Sequence, residues 1–203
     1  MTQSQISRFF KKAGLTRKRL KKKSNIFLTD QHKENKRDYA RNFLKFLNKE
    51  ILFLDETGFN LNTCNNYGYA EIGISPVAHV PQSIGQNLSA CCVISESGLK
   101  HYKLIDGGFN GAKFMDFIFE LHCEKILKSD VVLVLDNAPI HKTTDVRNFL
   151  LSKGVLVAYL PSYSPDFNPI ENFFSAIKSR LHQIKPKAIT RTALKENVVN
   201  TYN

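Results

Sequence analysis

The sequence predicts an α/β domain, a mixed sheet with helices on its faces, carried behind a basic helical arm. Three observations lead there. An apolar strand pattern, a helix and a second apolar strand fill 131–160, the spacing of a parallel pair joined by a crossover. Two alternating runs at 87–94 and 100–105, separated by Ser-Glu-Ser-Gly, read as an antiparallel hairpin. The net charge of +11 is confined to one end: residues 1–50 hold 15 Lys and Arg against 4 Asp and Glu, while 51–203 hold 14 of each. A basic arm on a neutral domain points to a polyanion, nucleic acid above all, though Arg17-Lys18-Arg19-Leu20-Lys21-Lys22-Lys23 would also serve as a nuclear-import signal.

The elements follow in order. Residues 4–15 form a short helix with Ser4 as its cap, Ile6, Phe9, Phe10 and Ala13 on one side and Gly14 as its stop. Residues 28–50 form a longer helix capped by Thr29, with Tyr39, Phe43, Phe46 and Leu47 along one side. The period then changes to that of a strand at 51–57, "ILFLDET". The Gly-, Asn- and Pro-rich stretch from Gly58 to Asn87 is an irregular insertion, and loops of that length are usually functional. After the hairpin come an amphipathic helix at 111–127, a strand at 131–136, a helix near 143–152 closed by Gly154, and a strand at 155–160. A proline-stiffened loop then feeds a last helix from Pro169, followed by a short tail.

Composition narrows the classes. A 42% hydrophobic content suits a globular protein, and 203 residues hold one good-sized domain plus an appendage. No apolar run reaches the length of a membrane span, and the basic, polar N-terminus is unlike a signal peptide, so no membrane partner is expected. The four cysteines form no C-x-x-C pair, and reduced, buried thiols of an intracellular protein are the expectation.

Three acids stand at element ends: Asp55 after "ILFL", Asp136 after "VVLVL" and Glu171 in the first turn of the last helix. Each has an ordinary explanation. Asp55, like Glu56, serves as a turn acid, Asp136 as an Asx-turn residue leading into Pro139, and Glu171 as the third residue of a capping box begun by Asn168. Taken together they say more. If the strands at 51–55 and 131–136 are neighbours, Asp55 and Asp136 stand side by side at the strand ends where α/β sheets gather ligands. A helix docked by Ile170, Phe173, Phe174, Ile177 and Leu181 would aim Glu171 at the same edge. Three converging carboxylates repel one another, and a hard divalent cation removes that penalty. Oxygen-only ligands suit Mg²⁺ or Mn²⁺, and two such ions can cleave or join phosphodiesters.

"FLDETGF", "VLDNAPIHK" and "LPSYSPDFNPIENFFSAIK" resemble the three catalytic blocks of the mariner-type DDE transposases, a branch of the ribonuclease-H-like nucleotidyl-transferases. The third block is the most specific, and the 34 residues between Asp136 and Glu171 match the branch that ends its triad in Glu. The resemblance covers nearly the whole chain. It implies a ribonuclease-H-like catalytic domain at 50–203, a linker helix at 25–49, and at 1–24 a remnant of the helix-turn-helix region, since the family carries two such units and the chain would begin inside the second. It implies Asp55, Asp136 and Glu171 as catalytic metal ligands for two Mg²⁺ or Mn²⁺ ions, and Asn137 and His141 as groups behind the metals or beside the substrate. For His141 a structural role, bonded to a backbone carbonyl, is an equal alternative, and Asn168 reads as a helix cap. The insertion holds Tyr69 where the family often has Trp. DNA is the implied partner, met by Arg8, Lys11, Lys12, Arg17, Lys18, Arg19, Lys21, Lys22 and Lys23, with a homodimer as the active form and the nucleus as its place in a eukaryote. The competing reading is a non-catalytic DNA-binding protein left by a decayed transposase.

Overall fold

The computed structural model describes residues 2–15, 29–60, 87–184 and 190–202. These fall into two units, Met1–Glu34 and Asn35–Asn203. In the first, helix α1 (Gln3–Lys12) starts from Thr2 rather than the expected Ser4. Thr2 accepts from the Gln5 amide while its own amide donates to Gln5 Oε1 at 2.8 Å, a reciprocal box that satisfies two donors left over at the helix start. Ser4, two residues later, already has its backbone inside the helix. Gly14 takes φ +73° and ends it, as expected. Ile6, Phe9 and Phe10 are exposed on this helix.

Helix α2 (Asp30–Phe43) begins where Thr29 Oγ1 accepts from the His32 amide at 3.3 Å. It is shorter than expected, tightening into a 3-10 turn at Leu44–Phe46. Tyr39, Phe43 and Phe46 still share one side, with Tyr39 and Phe43 stacked at 5.4 Å. Leu47 leaves that side and is 64% exposed. Three residues per turn instead of 3.6 advances each side chain further around the axis, which rotates Leu47 out.

The second unit is built on a five-stranded sheet, β1 (Ile51–Phe59), β2 (Leu88–Ser95), β3 (Gly98–Asp106), β4 (Val132–Leu135) and β5 (Leu156–Tyr159), in the order β3-β2-β1-β4-β5. β1 and β2 pair antiparallel, as do β2 and β3, whereas β1, β4 and β5 run parallel. The mixed sheet is therefore as expected. β1 runs two residues past its expected end because Thr57, Gly58 and Phe59 find partners in Ala90, Ser89 and Leu88. Most of the insertion, including Tyr69, lies outside the described residues.

Helices α3 (Gly111–Cys123) and α4 (Thr144–Ser152) cover one face, burying Phe114, Phe117, Ile118, Leu121, Val146 and Leu150 against Leu52, Leu54, Leu133 and Leu135. Asn110 caps α3 by accepting from the Lys113 amide at 2.9 Å. That helix stops before its expected end at 127, since Lys125 turns to φ +59°. On the other face, α5 (Ile170–Gln183) and α6 (Arg191–Tyr202) pack Ile170, Phe174, Ile177, Leu194 and Val198 onto Phe59, Leu88, Ala90, Cys92 and Ile94. The aromatic side of α2 lies with Val132, Val134, Ala158 and Leu160.

α6 occupies what was expected to be tail. Leu194, Val198 and Thr201, at i, i+4 and i+7, are its buried residues, a sparse stripe that burial rather than strong amphipathicity sustains. Cys91 and Cys92 are buried free thiols as expected, but Cys123 is exposed, because it ends α3 on the turn away from the core. Among the described residues no helix is long and apolar enough to cross a membrane.

Gly154 joins α4 to β5 at φ +68°, and a Cβ there would meet Ser129 Cβ at 3.2 Å. Gly154→Ala is expected to lower stability by about 1–2 kcal/mol, from the left-handed backbone alone, in denaturant unfolding monitored by circular dichroism.

Candidate active site

The parallel pairing of β1 with β4 brings Ile51 to Val132, Leu52 to Leu133 and Phe53 to Val134. Two residues further along each chain stand Asp55 and Asp136. The register thus sets these two carboxylates side by side where the pairing of β1 with β4 ends. Asp136 lies just past β4, and Asp55 stands at the middle of β1 rather than at its expected end, because β1 continues along β2 to Phe59. Glu171, in the first turn of α5, faces the same place. All three line one pocket of about 360 Å³, together with Asn137, Asn168 and the loop from Leu160 to Pro165.

Each of these two acids is held by its own backbone neighbourhood. Asp55 Oδ1 accepts from the Glu56 amide at 2.7 Å, and Oδ2 accepts from Asn168 Nδ2 at 2.8 Å. Burial, followed by the fields of Glu56, Asp136 and Glu171, pushes the Asp55 pKa up to about 7. Asp136 Oδ1 accepts from the Ala138 amide at 2.8 Å, which is the expected Asx turn, and stands 2.7 Å from His141 Nδ1. That neighbour holds the Asp136 carboxyl below its usual range, with help from Ala138 N–H and Lys142. The Asx turn and the pocket position therefore coexist in one residue.

His141 is completely buried. Its Nε2 lies 3.1 Å from Glu56 Oε1, and its ring packs on Phe114 with centroids 4.5 Å apart. The Nδ1 contact is a close ion pair too bent for an aligned hydrogen bond. Burial works against a charge on the ring, but the carboxylates of Asp136 and Glu56 more than offset it and hold the pKa up at about 9. Both ring nitrogens face carboxylates, so the alternative of a histidine bonded through its ring to a backbone carbonyl does not hold. The backbone carbonyl of His141 itself accepts from Tyr159 OH at 3.0 Å.

Asn137 lines the pocket while its amide ties the strand ends together: Nδ2 donates to the Leu160 carbonyl and Oδ1 accepts from Lys142 Nζ. Asn168 overturns an expectation. It does not cap α5 with its side chain, which is spent on Asp55; the helix follows Pro169 without a side-chain cap, and Glu171 donates its amide to the Asn168 carbonyl at 3.2 Å. A buried carboxylate is a stronger acceptor to satisfy than a helix end near solvent, so the amide goes to Asp55. Glu171 is consequently an exposed acid at the pocket, outside any capping box.

In the sequence Glu56 stands only as a second turn acid. Its role had a signal in the sequence: alternation along β1 sets Leu52, Leu54 and Glu56 on the α3–α4 face, opposite Asp55, and an acid continuing an apolar stripe requires a cationic or donor partner. That partner is His141, whose identity could not be read from β1. In the basic arm, Arg8, Lys11 and Lys12 are exposed on α1. Arg17, Lys18, Arg19, Lys21, Lys22 and Lys23 lie outside the described residues.

Among the described residues no three His, Cys, Asp or Glu side chains are drawn up as a ready-made cage for one ion. The donor set nevertheless fits hard divalent cations. Asp55, Asp136 and Glu171 offer oxygen only, they share a pocket with room for water, and their mutual repulsion at Asp55 is relieved by added positive charge.

The family model for DDE superfamily endonucleases matches residues 50–195. The Transposable element Tc3 transposase of Caenorhabditis elegans is 22% identical over 182 residues, which is 86% of this chain and 55% of the relative. The chain thus spans about half the length of that curated relative. Among solved structures, a Mos1 transposase paired-end complex with the left transposon end superposes with a TM-score of 0.76 at 20% identity, covering 100% of this chain and 63% of that one. A Mos1 transposase catalytic domain solved with Raltegravir and Mg gives a TM-score of 0.63 at 17% identity, covering 86% and 83%. A sheet of this order, with Asp55 on β1 and Asp136 just past β4, and a family match across most of the chain lead to one conclusion: the chain belongs to the DDE superfamily endonucleases and has the ribonuclease-H-like fold of a mariner transposase catalytic domain.

Proposed function

We propose that this chain is the catalytic part of a DNA transposase that cuts its element's ends and joins the freed 3′-hydroxyls to target DNA, with Asp55, Asp136 and Glu171 holding two Mg²⁺ or Mn²⁺ ions. The observation that carries this reading is the meeting of three carboxylates, from β1, from the end of β4 and from α5, in one pocket. Similar structures described as complexes with transposon ends, and with Mn or Mg, support DNA as the partner and divalent ions as the cofactor. Their description as paired-end complexes supports a homodimer as the working form.

When bound, the ions would activate a water or a 3′-hydroxyl and stabilise the leaving oxygen. The protein's own residues supply aim and shelter. Asp55 and Asp136 are pre-set by backbone amides, so little reorientation is needed at the moment of binding. Asn168 links Asp55 to the start of α5 and so fixes the distance between β1 and the turn that presents Glu171. The loop from Leu160 to Pro165 walls one side of the pocket. Three intact acids favour this reading over that of a non-catalytic DNA-binding remnant.

Asp136→Asn keeps the shape and the Asx turn while removing a charge. It is expected to lower nicking of a supercoiled plasmid in Mg²⁺ by 100-fold or more, on the order of what lost charge stabilisation costs, with the folded circular dichroism spectrum retained. Metal should also stabilise the fold: at about 100 times Kd the gain is ~2.7 kcal/mol, read as a rise in melting temperature with Mn²⁺ that disappears in Asp55→Asn with Asp136→Asn. The cations of residues 8–23 should bind any duplex through its phosphates. Random and element-end DNA are then expected to bind alike, with affinity falling steeply with salt and mostly lost on deleting residues 1–24, in a fluorescence anisotropy titration at two salt concentrations.

A further inference from the structure

The two polar atoms of a fully buried ring decide which way that ring can sit. His141 is 0% exposed, packed on Phe114, and its two nitrogens face carboxylates from different strands: Nδ1 lies 2.7 Å from Asp136 Oδ1 and Nε2 lies 3.1 Å from Glu56 Oε1. Turned over, the ring would set carbon atoms against both acids, losing the hydrogen bond of Nε2 to Glu56 and the ion pair of Nδ1 with Asp136. Glu56 belongs to the face of β1 opposite Asp55, away from the pocket, and Cys91 Sγ donates to the same Oε1 at 3.8 Å. Asp136 Oδ1 meets both His141 and the Ala138 amide, which leaves Oδ2 as the oxygen available to the pocket.

We propose that Glu56 is a positioning residue, which orients the His141 ring and through it turns the Asp136 carboxylate so that a single oxygen is presented to the pocket. The consequence for metal rests on the reading of Asp136 as a metal ligand; the orientation of the ring does not. Groups standing behind a metal ligand typically change affinity by about 10–100-fold when removed.

The test uses the full chain and three variants. Glu56→Gln keeps an acceptor oxygen at the right reach, Glu56→Met keeps length without an acceptor, and His141→Asn assigns the ring signals and removes the relay. In the metal-free, ¹⁵N-labelled protein, the His141 Nδ1–H resonance is expected to survive in Glu56→Gln and to be lost or displaced in Glu56→Met. By calorimetry, Mn²⁺ affinity should fall by about 10–100-fold in Glu56→Met, stay near the parent's in Glu56→Gln, and show no added loss when Glu56→Met is combined with His141→Asn. An unchanged His141 resonance in Glu56→Met overturns the proposal. So does an equal loss of Mn²⁺ in both Glu56 variants, which would assign the effect to charge, or a loss that persists without His141, which would make Glu56 act directly. Unfolding of both Glu56 variants would make the residue a stability element and overturn it as well. If the parent takes up no Mn²⁺ while the His141 resonance still follows Glu56 as described, the metal reading fails and the positioning role stands.

Discussion

The burial and crowding of carboxylates where β1 and β4 stop pairing is the constraint around which this domain is arranged. Asp55, buried and within the fields of Glu56, Asp136 and Glu171, has its pKa pushed up to about 7. Left alone, such a cluster would splay its strands or draw in water. The surroundings offset it with donors that cost no mobile side chain, the amides of Glu56 and Ala138, and with two side chains fixed from elsewhere, Asn168 and His141. Hydrogen bonds to charged acceptors are among the stronger ones a protein makes, and they orient as well as neutralise.

The alternation of a strand explains why two adjacent acids, Asp55 and Glu56, have different surroundings. One points to the face covered by α5 and α6, the other to the face covered by α3 and α4. β1 thereby serves as a partition. On one side Asp55 meets Asn168 and the pocket; on the other, half-buried Glu56 meets the buried His141 and Cys91. His141 connects the two sides, because the turn at Pro139–Lys142 drops its ring beneath the strand end that carries Asp136.

Helix α2 takes part in the same domain through its aromatic side. Lys36 pairs with Asp166 at 2.6 Å, and Tyr39 stacks on Phe167 at 5.6 Å, so the turn just before Asn168 is anchored from below. The surface ion pair is worth little by itself. The stacked rings, with Val132, Val134, Ala158 and Leu160 beneath them, give the anchor its strength.

Most of the element order, the mixed sheet and the placing of Asp136 and Glu171 at element ends were legible in the chain, because apolar period and turn chemistry are local properties and the parallel crossover at 131–160 leaves few topologies. The two added residues of β1 and the docking of α6 were not, since each depends on a partner surface far away in sequence. The same division runs through the site. Which acids close the apolar runs is written in the residues, and the Asx turn at Asp136 is as local as a motif can be. Whether Asn168 caps its own helix or reaches Asp55, 113 residues earlier, is a competition between two acceptors that only the assembled sheet brings into range. Glu56 and His141, 85 residues apart, become partners for the same reason: a buried acid demands a donor, but the chain alone does not say from where.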